Sequence, residues 1–253
     1  MPPQVVQVVL AVLADPVFDE SDARVRGSAA TDGGSPPPNG AFAEVLRSAD
    51  ETGALDARGR LPRLRFSREE ARSILRLVRP GERMEALDFD ASLETAKSPD
   101  LGQYRFVHFA THGVLNTRDP ELSGVILSLV DRSGKSTPGF LAAADVFNLK
   151  LPAELVVLSG CETALGKEVR GEGLLGLTRG FFYAGAARVV SSLWKVDDVA
   201  TSELMTRFYE GMLGREHLRP AAALRAAQEA MWKKKWHQAP YYWAAFVLQG
   251  EWR

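Results

Sequence analysis

The chain has 253 residues, a length that suits one large domain or two small ones. Its 31 Lys and Arg residues nearly balance its 32 Asp and Glu residues, and its 45% apolar share is that of an ordinary soluble globular protein. This balance argues against nonspecific nucleic-acid binding, which needs a basic surplus. The basic run at 233–235 is more typical of a solvated helix face than of a phosphate patch.

The first predicted element is a buried strand over residues 4–13, QVVQVVLAVL, which is rich in β-branched valine. We do not interpret it as a signal peptide, because no basic residue precedes it and Asp15 and Pro16 follow it. No apolar run approaches the roughly 20 residues of a membrane-spanning helix. Cys161, the single cysteine, cannot form an internal disulfide. We therefore expect a cytoplasmic protein with no membrane or direct nucleic-acid contact.

The next region is predicted to hold a flexible loop and two helices. The loop covers residues 27–40, which are rich in Gly, Pro and Ser. Helical spacing follows over 41–52 and 67–79. Ser67 and Glu70 have the spacing of a capping box, which predicts the start of the second helix.

From residue 85 onward, predicted strands alternate with predicted helices. The strands cover 85–90, 104–110, 123–130, 153–159, 187–194 and 241–250. The helices cover 91–98, 141–149, 172–185, 199–213 and 219–236. Such alternation indicates an α/β fold, a mostly parallel sheet with helices on both faces. The strands are continuous apolar runs, as expected of a sheet that is covered twice.

Two residues with catalytic potential follow strands of this sheet. His112 comes two residues after the strand 104–110, and Cys161 comes two residues after the strand 153–159. If these strands are neighbours, a thiol and an imidazole share the carboxyl edge, where α/β sheets bind ligands. A histidine within reach can take the thiol proton and activate the cysteine as a nucleophile. The alternative is that Cys161 is only a small buried hydrophobe.

Further residues at the same edge could assist such chemistry. The backbone N–H groups of Gly113 and Cys161 could form an oxyanion hole. Asp197 and Asp198 follow the strand 187–194 and could line a substrate pocket. The alternative is a helix N-cap, for which Asp198 is well placed.

Three short motifs resemble ligand sites but lack the required context. The segment GEGLLG at 171–176 lies too far beyond its strand for a dinucleotide loop. No helix is predicted after SGKST at 133–137, as a phosphate loop would need. His108 and His112 have the spacing of a helical metal pair but fall in and after a strand.

Several blocks of the sequence together resemble a known family. VHFATHGVLN, LVVLSGCETALG, GEGLLGLTRGFFYAGAARVVSSLWKVDDVAT, LMTRFYEGML and YYWAAFVLQG are similar to the CHAT domain. That family is a caspase-like peptidase domain, related to caspases and separase and often fused to tetratricopeptide repeats. The resemblance runs from about Ala11 to the end of the chain, with the blocks in order.

The resemblance implies a caspase-like three-layer sandwich and a Cys–His dyad that cleaves peptide bonds without metal or organic cofactor. His112 matches the family's histidine, Cys161 its cysteine and Gly113 an oxyanion-hole position. The 49 residues from His112 to Cys161 also match the caspase spacing of about 50. The likeness to separase implies that Asp198, and less clearly Asp197, accepts Arg or Lys before the cut.

The resemblance also bears on organisation and partners. We expect one domain over 1–253 that lacks the N-terminal portion usual in the family, which would expose a sheet edge for pairing. Many family members have alanine immediately before the cysteine, as Ser-Ala-Cys, where this chain has Gly160. Family members commonly act as switched proteases in bacterial signalling or defence. A protein substrate and a regulatory tetratricopeptide-repeat or sensor partner are expected; the alternative is a non-catalytic interaction module.

Overall fold

The computed structural model describes residues 8–25, 46–47, 49–50, 54–114, 123–162, 172–194 and 196–251. The predicted loop at 27–40 lies outside these residues, as does part of the predicted helix at 41–52. Residues 46–47 and 49–50 of that helix are helical.

The described strands, in chain order, are β1 (Leu10–Pro16), β2 (Arg83–Asp88), β3 (Phe106–Ala110), β4 (Gly113–Val114), β5 (Gly124–Ile126), β6 (Phe140–Ala142), β7 (Leu155–Leu158), β8 (Cys161–Glu162), β9 (Arg188–Ser192) and β10 (Phe246–Gly250). The described α-helices are α1 (Arg65–Leu75), α2 (Leu93–Lys97), α3 (Ala143–Phe147), α4 (Glu172–Tyr183), α5 (Asp198–Leu213) and α6 (Pro220–Trp232). Short 3-10 helices occur at Pro80–Glu82, Pro99–Gln103, Lys235–His237 and Pro240–Tyr242.

Six strands form the main sheet in the order β10-β9-β7-β3-β1-β2. The pairs are parallel except for β10, which runs antiparallel to β9. A second sheet, in the order β6-β5-β4-β8, continues from the carboxyl ends of β3 and β7. The mostly parallel sheet predicted from the sequence is therefore confirmed.

Helices cover both faces of the main sheet, because alternate residues of each strand point to opposite sides. On one face, Leu13 and Phe109 pack in a core with Phe181 of α4. On the other, Val12 packs in a second core with Ile74 of α1 and residues of α5 and α6. All seven residues of β1 are buried. This three-layer α/β sandwich is the architecture that the resemblance implied.

Most predicted elements occur within a few residues of their expected bounds, but the capping box is wrong. Helix α1 begins at Arg65, and its N-cap, Leu64, makes no side-chain cap. Ser67 donates instead to the Leu64 carbonyl oxygen at 2.6 Å, and Glu70 contacts a buried histidine. Within the described ranges, every helix is too short or too polar to cross a bilayer.

Candidate active site

The candidate site lies at the carboxyl ends of β3 and β7, which pair in parallel in the main sheet. Beyond these strands the chain continues into β4 and β8, which also pair in parallel, with Gly113 opposite Cys161. His112 is therefore next in the chain to the residue that faces Cys161. The Cys161 side chain itself lies outside what the structure describes.

Two contacts hold the buried ring of His112. Its Nε2 lies 2.6 Å from the carbonyl oxygen of Pro62, and its ring centroid lies 5.2 Å from that of Phe18. Because a carbonyl oxygen can only accept, Nε2 carries the hydrogen and donates it. In the neutral ring Nδ1 is then the nitrogen that can accept a proton.

Backbone contacts bring Gly113 and Gly160 close together. The Gly113 N–H donates to the Gly160 carbonyl oxygen at 3.2 Å. One of the two predicted oxyanion donors is therefore engaged in a backbone hydrogen bond in this conformation. The backbone at residue 160 also lies very close to that at Thr111, since a Cβ atom at position 160 would collide with the Thr111 carbonyl oxygen. Glycine at 160 thus allows β4 and β8 to meet at this spacing.

The two aspartates after β9 have different contacts. Asp197 is the N-cap of α5, and its Oδ1 accepts from the Ala200 N–H at 2.9 Å. Asp198, the first residue of α5, accepts from the Phe66 N–H at 3.0 Å through Oδ2. The capping role considered for Asp198 thus belongs to Asp197, while Asp198 connects the starts of α5 and α1.

Burial raises the pKa of the Asp198 carboxyl to about 6. The Phe66 N–H acts in the opposite direction, whereas the nearby carboxylates of Glu70, Asp197 and Glu69 add to the rise. Asp198 therefore becomes ionised around pH 6, at a higher pH than an exposed aspartate does.

A small cavity of about 30 Å³ lies beside Asp198. Glu70, Gly160 and Thr201 also contribute to its lining. Because Gly160 immediately precedes Cys161, the cavity adjoins the candidate nucleophile. Glu70 was not predicted to belong here, because its spacing from Ser67 indicated a helix cap.

A buried polar chain lies behind this cavity. Glu70 Oε1 is 2.7 Å from His108 Nε2, and His108 Nδ1 is 3.3 Å from the Tyr209 hydroxyl. Burial raises the pKa of Tyr209 well above its usual value. His108 thus makes structural contacts with Glu70 of α1 and Tyr209 of α5, whereas His112 contacts Pro62 and Phe18.

A network of ion pairs fixes the segment that holds His112. Arg63, which follows Pro62, donates to Asp15 through Nε at 2.7 Å and through an Nη2 contact at 2.6 Å. Arg68 of α1 also contacts Asp15, at 2.6 Å, and Arg24 lies 3.3 Å from it. The Asp15 side chain is fully buried. The Pro62 carbonyl is thereby held in place from the end of β1.

Across the described part of the chain, no three His, Cys, Asp or Glu side chains are grouped as ligands for a metal ion.

Sequence comparisons identify the family of the chain. The family model of the CHAT domain matches residues 2–251. Tetratricopeptide repeat protein 28 of Homo sapiens is 39% identical over 110 residues, which cover 44% of this chain and 4% of that protein. Its Mus musculus counterpart is 38% identical over 110 residues, with the same coverage. The chain thus spans only a small part of these curated relatives. The family match covers nearly the whole chain, and the protein belongs to the CHAT domain family.

Proposed function

We propose that this protein is a cysteine endopeptidase that cleaves protein substrates through Cys161 and His112. The observation that carries the proposal is the pairing of β4 with β8, which brings the chain at His112 alongside Cys161. The family match supports it, because the CHAT family is caspase-like.

In the proposed reaction, His112 carries its hydrogen on Nε2, where it donates to the Pro62 carbonyl oxygen. Nδ1 of His112 takes the proton of the Cys161 thiol, and the thiolate attacks the carbonyl carbon of the scissile bond. The tetrahedral intermediate collapses with cleavage of the C–N bond, and the imidazolium protonates the departing amine. Water, deprotonated by His112, then attacks the thioester carbonyl, and the C–S bond breaks. The imidazolium returns its proton to the departing thiolate, and the carboxylic acid product loses its proton to solvent.

The oxyanion hole requires a local change of conformation. The proposed donors are the N–H groups of Gly113 and Cys161, and the first is bonded to the Gly160 carbonyl oxygen. Separation of β4 from β8 would free this N–H for the developing oxyanion. The need for this change supports activation by a partner or ligand, for example a tetratricopeptide-repeat or sensor protein. The proposed setting is bacterial signalling or defence.

A basic residue is the proposed P1 residue, the one whose carbonyl is attacked. Asp198 supports this specificity, because its carboxyl lines the cavity next to Gly160. Asp197 is already bonded to its own helix and is the weaker candidate.

The preference for a basic P1 residue should depend on pH through Asp198. With a pKa of about 6, the carboxyl is ionised above this pH and attracts a cation, and it loses its charge below it. We expect the ratio of kcat/KM for a P1-Lys reporter to that for a P1-norleucine reporter to fall by roughly tenfold between pH 7 and pH 5. Taking the ratio cancels any effect of pH that is common to both reporters.

Asp198→Asn is the matched variant, since it keeps the shape of the side chain without its charge. The ratio should then be low and independent of pH. A ratio that is pH-independent in the wild-type protein would contradict the role of Asp198 at P1.

The activation of Cys161 can be tested by alkylation. Because Cys161 is the only cysteine, iodoacetamide reports on it alone. We expect alkylation at pH 6 to be at least about tenfold faster in the folded chain than in the urea-unfolded chain, because a free thiol with a pKa of ~8.5 is almost wholly protonated there. An equal or slower rate in the folded protein would contradict the proposed dyad.

The second candidate function is a non-catalytic interaction module in a signalling assembly. The engaged Gly113 N–H favours it, because a docking module has no need of a free oxyanion donor. The alkylation rate separates the two functions, since docking alone requires no thiolate.

A further inference from the structure

The small cavity beside Asp198 is lined by acceptors and carries negative charge. Two acidic residues, Glu70 and Asp198, line it, and no Lys or Arg is among the described residues that line it. Glu70 is only 1% exposed, and its Oε1 lies 2.7 Å from His108 Nε2, so the carboxyl group is poorly screened by solvent and has this one side-chain hydrogen bond among the described residues. A cation in this cavity would offset that charge.

The serine hydroxyl groups around the cavity also present acceptors. Ser67 uses its hydrogen to donate to the Leu64 carbonyl oxygen, and Ser159 lies 3.5 Å from the Phe109 carbonyl oxygen, which can only accept. Their oxygen lone pairs remain for a ligand. The cavity therefore suits a group that brings hydrogen-bond donors.

Thr201 indicates independently that a ligand belongs here. Its residue is 4% exposed, and its Oγ1 has no hydrogen-bond partner among the residues that the structure describes. A buried hydroxyl without a partner is costly. Thr201 lines the same cavity as Glu70 and Asp198, so a donor-rich ligand would satisfy it.

The size of the cavity distinguishes between the two basic side chains. A volume of about 30 Å³ accepts one or two water-sized groups. A lysine ammonium is compact and carries three donors, whereas an arginine guanidinium is a wider planar group with five. The oxygen acceptors around this water-sized space therefore suit the compact ammonium better than the wider guanidinium.

We propose that this cavity binds the ammonium group of a lysine at P1, held by Asp198, Glu70 and Thr201, and that the protein prefers Lys to Arg. The proposal rests on the proposed peptidase function and makes Glu70 and Thr201 specificity residues beside Asp198.

The test measures binding separately from cleavage. Three peptide libraries that differ only in a fixed P1 residue, Lys, Arg or norleucine, are titrated into the full-length Cys161→Ala variant, and kcat/KM for the same libraries is measured with wild-type protein. The Lys library should bind and react about tenfold better than the Arg library and still better than the norleucine library. Arg equal to or above Lys would overturn the proposal.

Matched variants test the individual groups. Glu70→Gln should lower Lys binding by about tenfold or more without changing norleucine binding. Glu69→Gln removes the same charge from the exposed neighbouring residue on α1 and should have little effect. Equal effects of the two variants would contradict a direct role of Glu70. Thr201→Val, close in shape to threonine, should weaken Lys binding severalfold and covers the case in which Glu70→Gln fails to fold.

The outcomes separate the two proposals. Cleavage without preference for Lys overturns the lysine pocket and leaves the peptidase intact. Glu70-dependent binding of Lys peptides without cleavage by wild-type protein supports the pocket and counts against the peptidase. If the Lys library neither binds nor reacts better than the norleucine library, the lysine pocket is wrong.

Discussion

Replacement of His112 by alanine should reduce kcat/KM for peptide cleavage by roughly 10³-fold or more, and Cys161→Ala should abolish it. The cysteine supplies the bond to the acyl group, and the histidine moves a proton in both halves of the reaction. Residues that act as one unit show strongly non-additive losses. The double variant should therefore be no worse than Cys161→Ala alone.

The matched control is His217→Asn. His217 is exposed and has a positive φ of 47°, a conformation that asparagine tolerates well. It lies at the opposite end of the sheet from the carboxyl edge, near the start of α6. This variant should retain wild-type kcat/KM. Retained cleavage by Cys161→Ala would instead exclude the proposed nucleophile.

The candidate residues could be proposed from the sequence because the patterns that point to them are local. Each of β3 and β7 is a buried apolar run, followed after two residues by His112 and after three residues by Cys161. In a parallel sheet such positions lie on one edge, and the pairing of β3 with β7 then brings them together. Only the neighbour relation of the two strands had to be assumed.

The partners of these residues could not be predicted, because they lie far away in the sequence. Pro62 is 50 residues from His112, and Phe66 is 132 residues from Asp198. No periodicity connects such positions. Glu70 shows how tertiary contacts override a local pattern: it has capping-box spacing, yet its carboxylate contacts His108, because a buried histidine needs a polar partner.

The largest expected loss of stability comes from Asp15→Ala. Asp15 is a buried carboxylate contacted by Arg24, Arg63 and Arg68, and its removal leaves these guanidinium groups without their shared partner. Removing one side of a buried ion pair typically costs about 3–5 kcal/mol. We expect a loss of this size in the free energy of unfolding, measured by urea denaturation.

Asp22→Ala is the control for this network. Asp22 pairs with Arg24 alone among these arginines and is 16% exposed, so its loss should cost less than that of the fully buried Asp15, about 1–2 kcal/mol. Similar losses for the two variants would show that Asp15 is not the centre of the network.

Asp15 should also influence catalysis through Pro62. Arg63 connects the Asp15 carboxylate to the residue whose carbonyl oxygen orients His112. In the Asp15→Asn variant, asparagine tolerates the positive φ of 49° at this position, but its neutral amide binds Arg63 more weakly than the carboxylate does. At temperatures where this variant is still folded, kcat should fall about tenfold or more, because catalysis is sensitive to small displacements of the base, while KM changes little. A purely structural role of Asp15 predicts unchanged kcat in the fraction that remains folded, so the ratio of kcat to folded protein distinguishes the two.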